Sequence, residues 1–304
     1  MSEKNHGPVV RIAALLTCHN RKDSTIECLE AIKAEVSRAS GPAGKTNIDP
    51  SSPLQTSPRY DIQIFLVDDG SSDGTAKAVL EVFPKANIYR SDGHLFWCRG
   101  MKKAWEMAVP SSPDYFLWLN DDTRLLPGSL SQLISHASRP EDTHHLQVAV
   151  ANCRDPDLGV HTYGGYRRPG GHPLILSQLP MHPTEEVFAD TFNGNVVLIP
   201  RAVFEIVGGM GNFAHGLGDL DYGYRVIRAG GKIVLPPGYS AECRRGTVAT
   251  YWIKGPGRRK RWQMLNDRKA GLPWKDWLRF SKAHGGELWP LIWIRPYLRV
   301  ALDL

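Results

Sequence analysis

Tyr115-Phe116-Leu117-Trp118-Leu119-Asn120-Asp121-Asp122-Thr123 is the stretch whose reading decides the fold. It opens as a short continuous apolar run, the pattern of a strand buried on both faces of a parallel α/β sheet. It stops abruptly at two adjacent carboxylates. Unpaired charges are too costly in a dry interior, so the pair belongs at the C-terminal end of the strand. Open α/β sheets bind ligands at that end. Two hard oxygen donors there suit Mg²⁺ or Mn²⁺ held jointly with substrate phosphates. Asn-Asp-Asp-Thr is equally the composition of a plain turn and helix cap. The stretch alone leaves both readings open.

Working outward, the same punctuation recurs. Val9–Leu16 reads as a first strand ending at Thr17-Cys18-His19-Asn20-Arg21. Asp23 or Ser24 then caps a helix over 24–36, with Ile26, Leu29, Ile32 and Val36 on one face. A second strand, Asp61–Val67, ends at Asp68-Asp69-Gly70-Ser71-Ser72-Asp73-Gly74-Thr75, followed by a helix through Phe83. A corner turn accounts for Gly70, Ser72 and Asp73 but not for the adjacent Asp68 and Asp69. A short strand over 87–89 leads to the loop 91–100 and a helix Met101–Ala108. Arg99 at that helix start opposes the helix dipole, which predicts an anionic partner, either a substrate phosphate or an aspartate. Beyond the central strand come a helix opened by Pro127-Gly128-Ser129, a strand over 148–150, and an irregular segment over 152–191. Next is a strand from Thr191-Phe192-Asn193-Gly194-Asn195 to Pro200, with a helix to Val207. His215-Gly216-Leu217-Gly218-Asp219-Leu220-Asp221 then opens a helix to Ala229, and Lys232–Leu235 is a last strand. Strands alternating with helices, with carboxylates at several strand ends, imply one open α/β sheet.

Bulk properties agree with a soluble globular chain: 304 residues, 42% hydrophobic and 22% charged. No apolar run approaches the ~20 residues of a transmembrane helix, and the N-terminus lacks a signal-peptide pattern. Five scattered cysteines without a Cys-x-x-Cys pair predict reduced thiols and a cytoplasmic setting. Histidines 161, 172 and 182 match no metal-site spacing. Residues 37–59 are rich in Pro, Gly and Ser and read as a mobile surface insertion.

Taken in order, Thr17-Cys18-His19-Asn20-Arg21, Val67 to Thr75, Trp118 to Thr123 and Gly218-Asp219-Leu220-Asp221 resemble the family 2 nucleotide-sugar glycosyltransferases, whose fold is called GT-A. The resemblance covers roughly residues 9–240. Phe96-Trp97-Cys98-Arg99-Gly100-Met101 and Phe192-Asn193-Gly194-Asn195 resemble the rhamnosyltransferase-like branch. It implies an α/β fold with a Rossmann-like mixed sheet flanked by helices. It also implies an inverting transfer of a sugar from a UDP- or dTDP-sugar to a hydroxyl of a saccharide or lipid-linked acceptor, in cell-surface polysaccharide or glycolipid assembly. In that resemblance Thr17 and Asp69 match positions that hold the nucleotide base, and Asn20, Arg21, Asp68, Arg99 and Asp121 line the donor side. Asp122, with Asn120, matches the Mg²⁺ or Mn²⁺ ligands. Asp219 matches the catalytic base, while Asn193, Asn195, His215 and Asp221 support the site or its acceptor side. Two positions depart from the family pattern. Asn120 stands where the familiar Asp-x-Asp motif has a first aspartate, so it brings no charge. Arg99 stands where relatives of the branch often have glycine.

Residues 241–304 have another texture, with Trp252, Trp262, Trp274, Trp277, Trp289 and Trp293 among arginines and lysines. Residues 1–240 therefore read as the GT-A domain and 241–304 as a basic helical extension. Trp, Leu and basic residues combine this way in interfacial helices, which would make the chain a peripheral protein of the cytoplasmic membrane face. Packing on the main domain, or on a second subunit in a homodimer, has the same composition. Two other readings stand beside the transferase: a nucleotidyltransferase, which the N-terminal motif opposes by lacking glycines, and a catalytically degenerate nucleotide-sugar-binding protein, which Asn120 keeps in play. Nucleic-acid binding is disfavoured, because a carboxylate-lined site repels phosphate and no recognition motif appears.

Overall fold

A computed structural model describes residues 8–40, 59–139, 146–246 and 257–303. Most of the expected insertion at 37–59, and Trp252, lie outside the described residues. The main sheet has eight strands: β1 (Val9–Cys18), β2 (Arg59–Asp68), β3 (Asn87–Arg90), β4 (Tyr115–Leu119), β5 (Gln147–Val150), β6 (Val187–Ala189), β7 (Val196–Pro200) and β8 (Lys232–Leu235). Their spatial order is β6-β8-β5-β7-β4-β1-β2-β3. The half built from β3, β2, β1 and β4 is parallel. β7 then runs antiparallel to both β4 and β5, and β6 antiparallel to β8. The sheet is thus mixed, as the resemblance implied.

The strands alternate their faces residue by residue. On β1, Ile12, Ala14 and Leu16 join a cluster on one side with Cys28, Leu29 and Ile32 of α1 (Lys22–Ser40) and Val79 of α2 (Thr75–Val82). Ala13 and Leu15 face the other side, toward Met101 and Trp105 of α3 (Phe96–Ala108). Leu130 and Leu133 of α4 (Ser129–His136) belong to the first face. Val203 of α5 (Arg201–Val207) and Tyr222 and Val226 of α6 (Gly218–Arg228) belong to the second. Helices on both faces bury the centre of the sheet, which is why β4 is apolar at every position.

Local caps differ from the expected ones. α1 starts at Lys22, ahead of Asp23 and Ser24, and its first N–H goes to Asp73 Oδ2 at 2.9 Å. Asp73 Oδ1 also accepts from Thr75 N at 3.0 Å, so one carboxylate serves two helix starts. α3 begins five residues before the expected Met101, because Asp69 supplies a cap that no local residue provides. The segment 152–191 is not wholly irregular. It carries strands of two or three residues, which join two small sheets with 124–125, 191–192 and 241–242. Pieces that short carry no readable period.

The basic C-terminal segment forms α7 (Arg258–Leu265), α8 (Trp274–His284) and α9 (Trp289–Ala301). Trp277, Phe280, Tyr297 and Val300 join the same cluster as Trp105 and Trp118. Among the described residues no helix is long and apolar enough to cross a membrane.

Candidate active site

The strand ends converge by register. Leu15 of β1 pairs with Trp118, and Val196 of β7 with Leu119, so Thr17, Asn120 and Asn195 lie along one edge of the sheet. Asn120 N donates to Asn195 O at 3.0 Å, locking the acidic turn to the loop before β7. On the other side Cys18 pairs with Asp68, and Asp69 N donates to Cys18 O at 2.8 Å. All four motifs therefore meet at one mouth of the sheet.

The Asp68–Thr75 loop is strongly braced. Asp68 is fully buried, and its Oδ1 accepts from Ser71 N at 2.8 Å. Its Oδ2 lies 3.3 Å from Arg90 Nε without a hydrogen bond. Gly70 has φ of +76°, and a Cβ there would stand 2.8 Å from Gly93 N, so only glycine fits. Asn20, also at positive φ, accepts from Ser72 N at 2.8 Å and receives Ser71 Oγ on its own N–H at 3.0 Å. Asn20 and Asp68 thus shape the loop through their own side chains.

Asp69 is the carboxylate this loop presents. Burial pushes its pKa up, but the Ser91 hydroxyl and the peptide N–H groups of Leu95 and Phe96 outweigh burial and hold it below the ordinary range. Those donors lie at 2.6, 3.0 and 2.8 Å. Two fall on Oδ1 and one on Oδ2, so Oδ2 keeps an acceptor site for a base N–H. Thr17 packs beneath α3, against Gly100. Arg99 lies half-buried in the first turn of α3 and makes no hydrogen bond or ion pair among the described residues. The aspartate partner anticipated for it is not found there.

The two carboxylates of the central stretch converge on one positive nitrogen. Arg21 Nη1 lies 3.1 Å from Asp121 Oδ1 and 2.7 Å from Asp122 Oδ2. Asp121 is buried, and desolvation raises its pKa to about 6 against the opposing pull of Arg21. Asp122 is exposed, and the Cys243 thiol donates to its other oxygen at 3.6 Å. Hard oxygens that share one cationic centre are the donor set a divalent cation takes, so this pair fits Mg²⁺ or Mn²⁺. Beside it, Asn120 Oδ1 accepts the Trp97 indole N–H at 2.7 Å, which takes one of its two acceptor sites. Among the described residues no group of three or more His, Cys, Asp or Glu side chains could hold a metal, so a cation held by this pair would need further oxygens from other donors.

Asp219 lies in the first turn of α6. Its Oδ1 accepts from Leu220 N at 2.9 Å and its Oδ2 from Gly194 N at 3.1 Å. Burial raises its pKa, with those two N–H groups and Asn193 pulling the other way. Asn193 also accepts from the Tyr166 hydroxyl at 2.7 Å. Trp97 touches both the loop that holds Asp219 and the acidic turn. Its ring packs so tightly on Gly194 that a Cβ there would approach it to 2.6 Å, while its indole nitrogen reaches Asn120. His215 Nδ1 accepts from Trp97 N at 3.3 Å, and burial lowers its pKa to about 4, so it is neutral. Asn195 donates to the Cys243 sulfur at 3.4 Å.

Asp221 points away from Asp219. Burial pushes its carboxyl up, but His284 Nε2 and Arg225 Nε, each at 2.9 Å, outweigh it and hold the pKa down. Arg225 also donates to Val207 O and Gly209 O. The roles of Trp97 and His284 are not legible from sequence motifs. Trp97 lies within a quoted motif but its indole contact does not, and His284 is brought in from the C-terminal segment.

Residues 14–188 match the family described as glycosyl transferase family 2. An N-acetylglucosaminyl-diphospho-decaprenol L-rhamnosyltransferase, found in two strains of Mycobacterium tuberculosis, is 25% identical over 205 residues. That match covers 60% of this chain and 65% of the relative, less than two thirds of its length. A mannosyltransferase from Pyrobaculum calidifontis, solved in complex with GDP-Man and Mn²⁺, superposes with a TM-score of 0.48 at 15% identity, over 98% of this chain and 74% of that one.

Proposed function

Because the chain belongs to glycosyl transferase family 2, we propose that this glycosyltransferase moves a sugar from a UDP- or dTDP-sugar to a hydroxyl of a saccharide or lipid-linked acceptor, with inversion at the anomeric carbon. Asp219 takes the proton from the acceptor hydroxyl as its oxygen attacks the face opposite the leaving diphosphate. Its raised pKa makes the ionised carboxylate a stronger base than an ordinary aspartate. Asp69 accepts from the base ring and Arg99 faces phosphate. Asp121 and Asp122 would hold a divalent cation, which when bound would neutralise charge on the departing diphosphate. Before it binds, Arg21 is the internal counter-charge of that pair. Trp97 keeps the donor and acceptor sides at a set separation, since one ring touches both loops.

The observation that carries this reading is Asp219, held by the Gly194 N–H beside the Trp97 indole, whose nitrogen reaches Asn120, the residue before the Asp121–Asp122 pair. The name of the mycobacterial relative makes an L-rhamnosyl donor and N-acetylglucosaminyl-diphospho-decaprenol the first pair to try. Five buried free cysteines agree with a reducing, cytoplasmic setting. The test is calorimetric binding of UDP and dTDP, with and without Mn²⁺, to wild type and Asp122→Ala, followed by transfer with NMR assignment of the product anomer. Cation-dependent binding lost in the variant supports the reading, and no binding of either nucleotide overturns it. Asn120, which brings no charge to the acidic turn, favours one rival, a binder without turnover, which an absence of both transfer and donor hydrolysis despite binding would reveal.

A further inference from the structure

The C-terminal helices bury one face and leave the other apolar. On α9, Pro296, Tyr297 and Val300 are buried, and Tyr297 Oη donates to Leu272 O at 2.8 Å. The opposite face carries Leu291 and Leu298, which are 65% and 47% exposed. They are two turns apart, and helical periodicity puts them on one line. Leu288 and Leu302, 63% and 64% exposed, extend that line beyond either end of the helix. Arg295 shares the line and Arg299 borders it, both exposed.

α7 packs beside α9 and adds exposed Arg258, Arg259 and Lys260, together with Trp262 at 45% exposure. An open groove lined by Arg258, Arg259, Trp262, Gln263 and Ala301 lies where the two helices meet. Trp274, at the start of α8, is 49% exposed. Residues 257–303 contain eleven Lys and Arg against four Asp and Glu, so this segment alone exceeds the +6 of the whole chain. A leucine line with arginines beside it, and tryptophans at its margin, is poorly suited to water. It matches the boundary of a bilayer, where aliphatic side chains enter the acyl region, tryptophan sits at headgroup depth and cations meet lipid phosphate.

We infer that the outward face of α9 and the basic first turn of α7 form a docking surface for an anionic lipid bilayer, which the protein meets side-on without crossing. Charge complementarity selects this occupant over a second copy of the chain, because two such faces would oppose arginines to arginines. The segment between α7 and α8 places Lys269 and Asp267 within electrostatic reach of His215. The docking unit therefore borders the site. A lipid-linked acceptor held in the same bilayer would need to travel only along the surface. The inference does not depend on which sugar is transferred or whether the acceptor is a lipid.

The experiment is co-sedimentation of the full chain with vesicles of phosphatidylcholine alone and with added phosphatidylglycerol, beside sedimentation velocity without lipid. Wild type is expected to partition onto the anionic vesicles and to remain monomeric without them. Leu291→Glu with Leu298→Glu should weaken partition by about tenfold or more, since each removes aliphatic burial and adds repelled charge. Arg258→Glu with Arg259→Glu should weaken it on anionic vesicles alone. Neither pair touches the site, so melting temperature and donor hydrolysis, measured without lipid, should match wild type. Loss of both would report misfolding, in which case Leu291→Gln with Leu298→Gln repeats the lipid assay. Absence of wild-type partition at low salt, or partition indifferent to both leucine pairs, overturns the inference. So does a dimer that the leucine variants dissociate, which would assign the face to a second copy.

Discussion

Asp221→Asn tests whether the C-terminal segment holds α6 in place. The carboxylate is 9% exposed and meets His284, 1% exposed, and Arg225, 24% exposed, each at 2.9 Å. An amide presents its oxygen to only one of these partners and turns an N–H toward the other. At an effective dielectric of ~20 the Asp221–Arg225 attraction is about 6 kcal/mol before desolvation is counted. Breaking a buried pair by removing one charge costs about 3–5 kcal/mol. Arg225 is partly solvated and keeps its bonds to Val207 O and Gly209 O, so the cost falls to or below the bottom of that range, roughly 2–3 kcal/mol. That corresponds to a melting temperature lower by about 3–5 °C at neutral pH for a chain of 304 residues. The sign with pH follows from the depressed folded pKa. The stabilisation is fully present above the ordinary carboxylate range and fades as pH falls through the folded value, so variant and wild type converge in acid. Thermal unfolding across that range is the assay. Because Asp219 sits in the same turn, kcat should fall about tenfold with less change in donor affinity. A melting temperature within about 1 °C of wild type at neutral pH would refute the reasoning.

Asp219→Asn should lower kcat by about 10²–10⁴ while leaving nucleotide affinity within a few-fold, read by transfer kinetics and calorimetry. The same change should stabilise the fold: the raised folded pKa means wild type loses stability as pH rises through it, and asparagine has no such loss, so the two melting curves should separate above the ordinary carboxylate range and coincide below it. Arg21→Gln should tighten Mn²⁺ binding in the absence of nucleotide, measured by electron paramagnetic resonance titration, because the cation no longer displaces a guanidinium from Asp121 and Asp122; unchanged affinity would remove Arg21 from that role. Gly194→Ala should push Trp97 off the loop, destabilising by about 1–3 kcal/mol and changing the environment of Trp97, which tryptophan fluorescence follows.

The strands, their order of appearance and the carboxylates at their ends were legible because each rests on local pattern: an apolar run, a glycine turn, a charged stop. β4 is apolar throughout because both faces of the sheet are covered, and that shows in five consecutive letters. The start of α3 was misplaced, since the group that caps it, Asp69, lies 26 residues upstream of Leu95 in the chain. The short strands within 152–191 escaped notice because two or three residues do not complete a period.

The sequence by itself determined the four acidic and polar motifs, their positions at strand ends and helix starts, and the family to which they point, since those follow from residue type and spacing. Only the tertiary structure decided which side chains act on one another. It put Arg21 on the Asp121–Asp122 pair, the Trp97 indole on Asn120, and His284 on Asp221, contacts that span from 23 to 101 residues of chain. It also turned Trp277 and Phe280 into the core while leaving Leu291 and Leu298 outside. Burial and charge pairing are properties of packed neighbours, and packing joins residues that sequence spacing keeps apart.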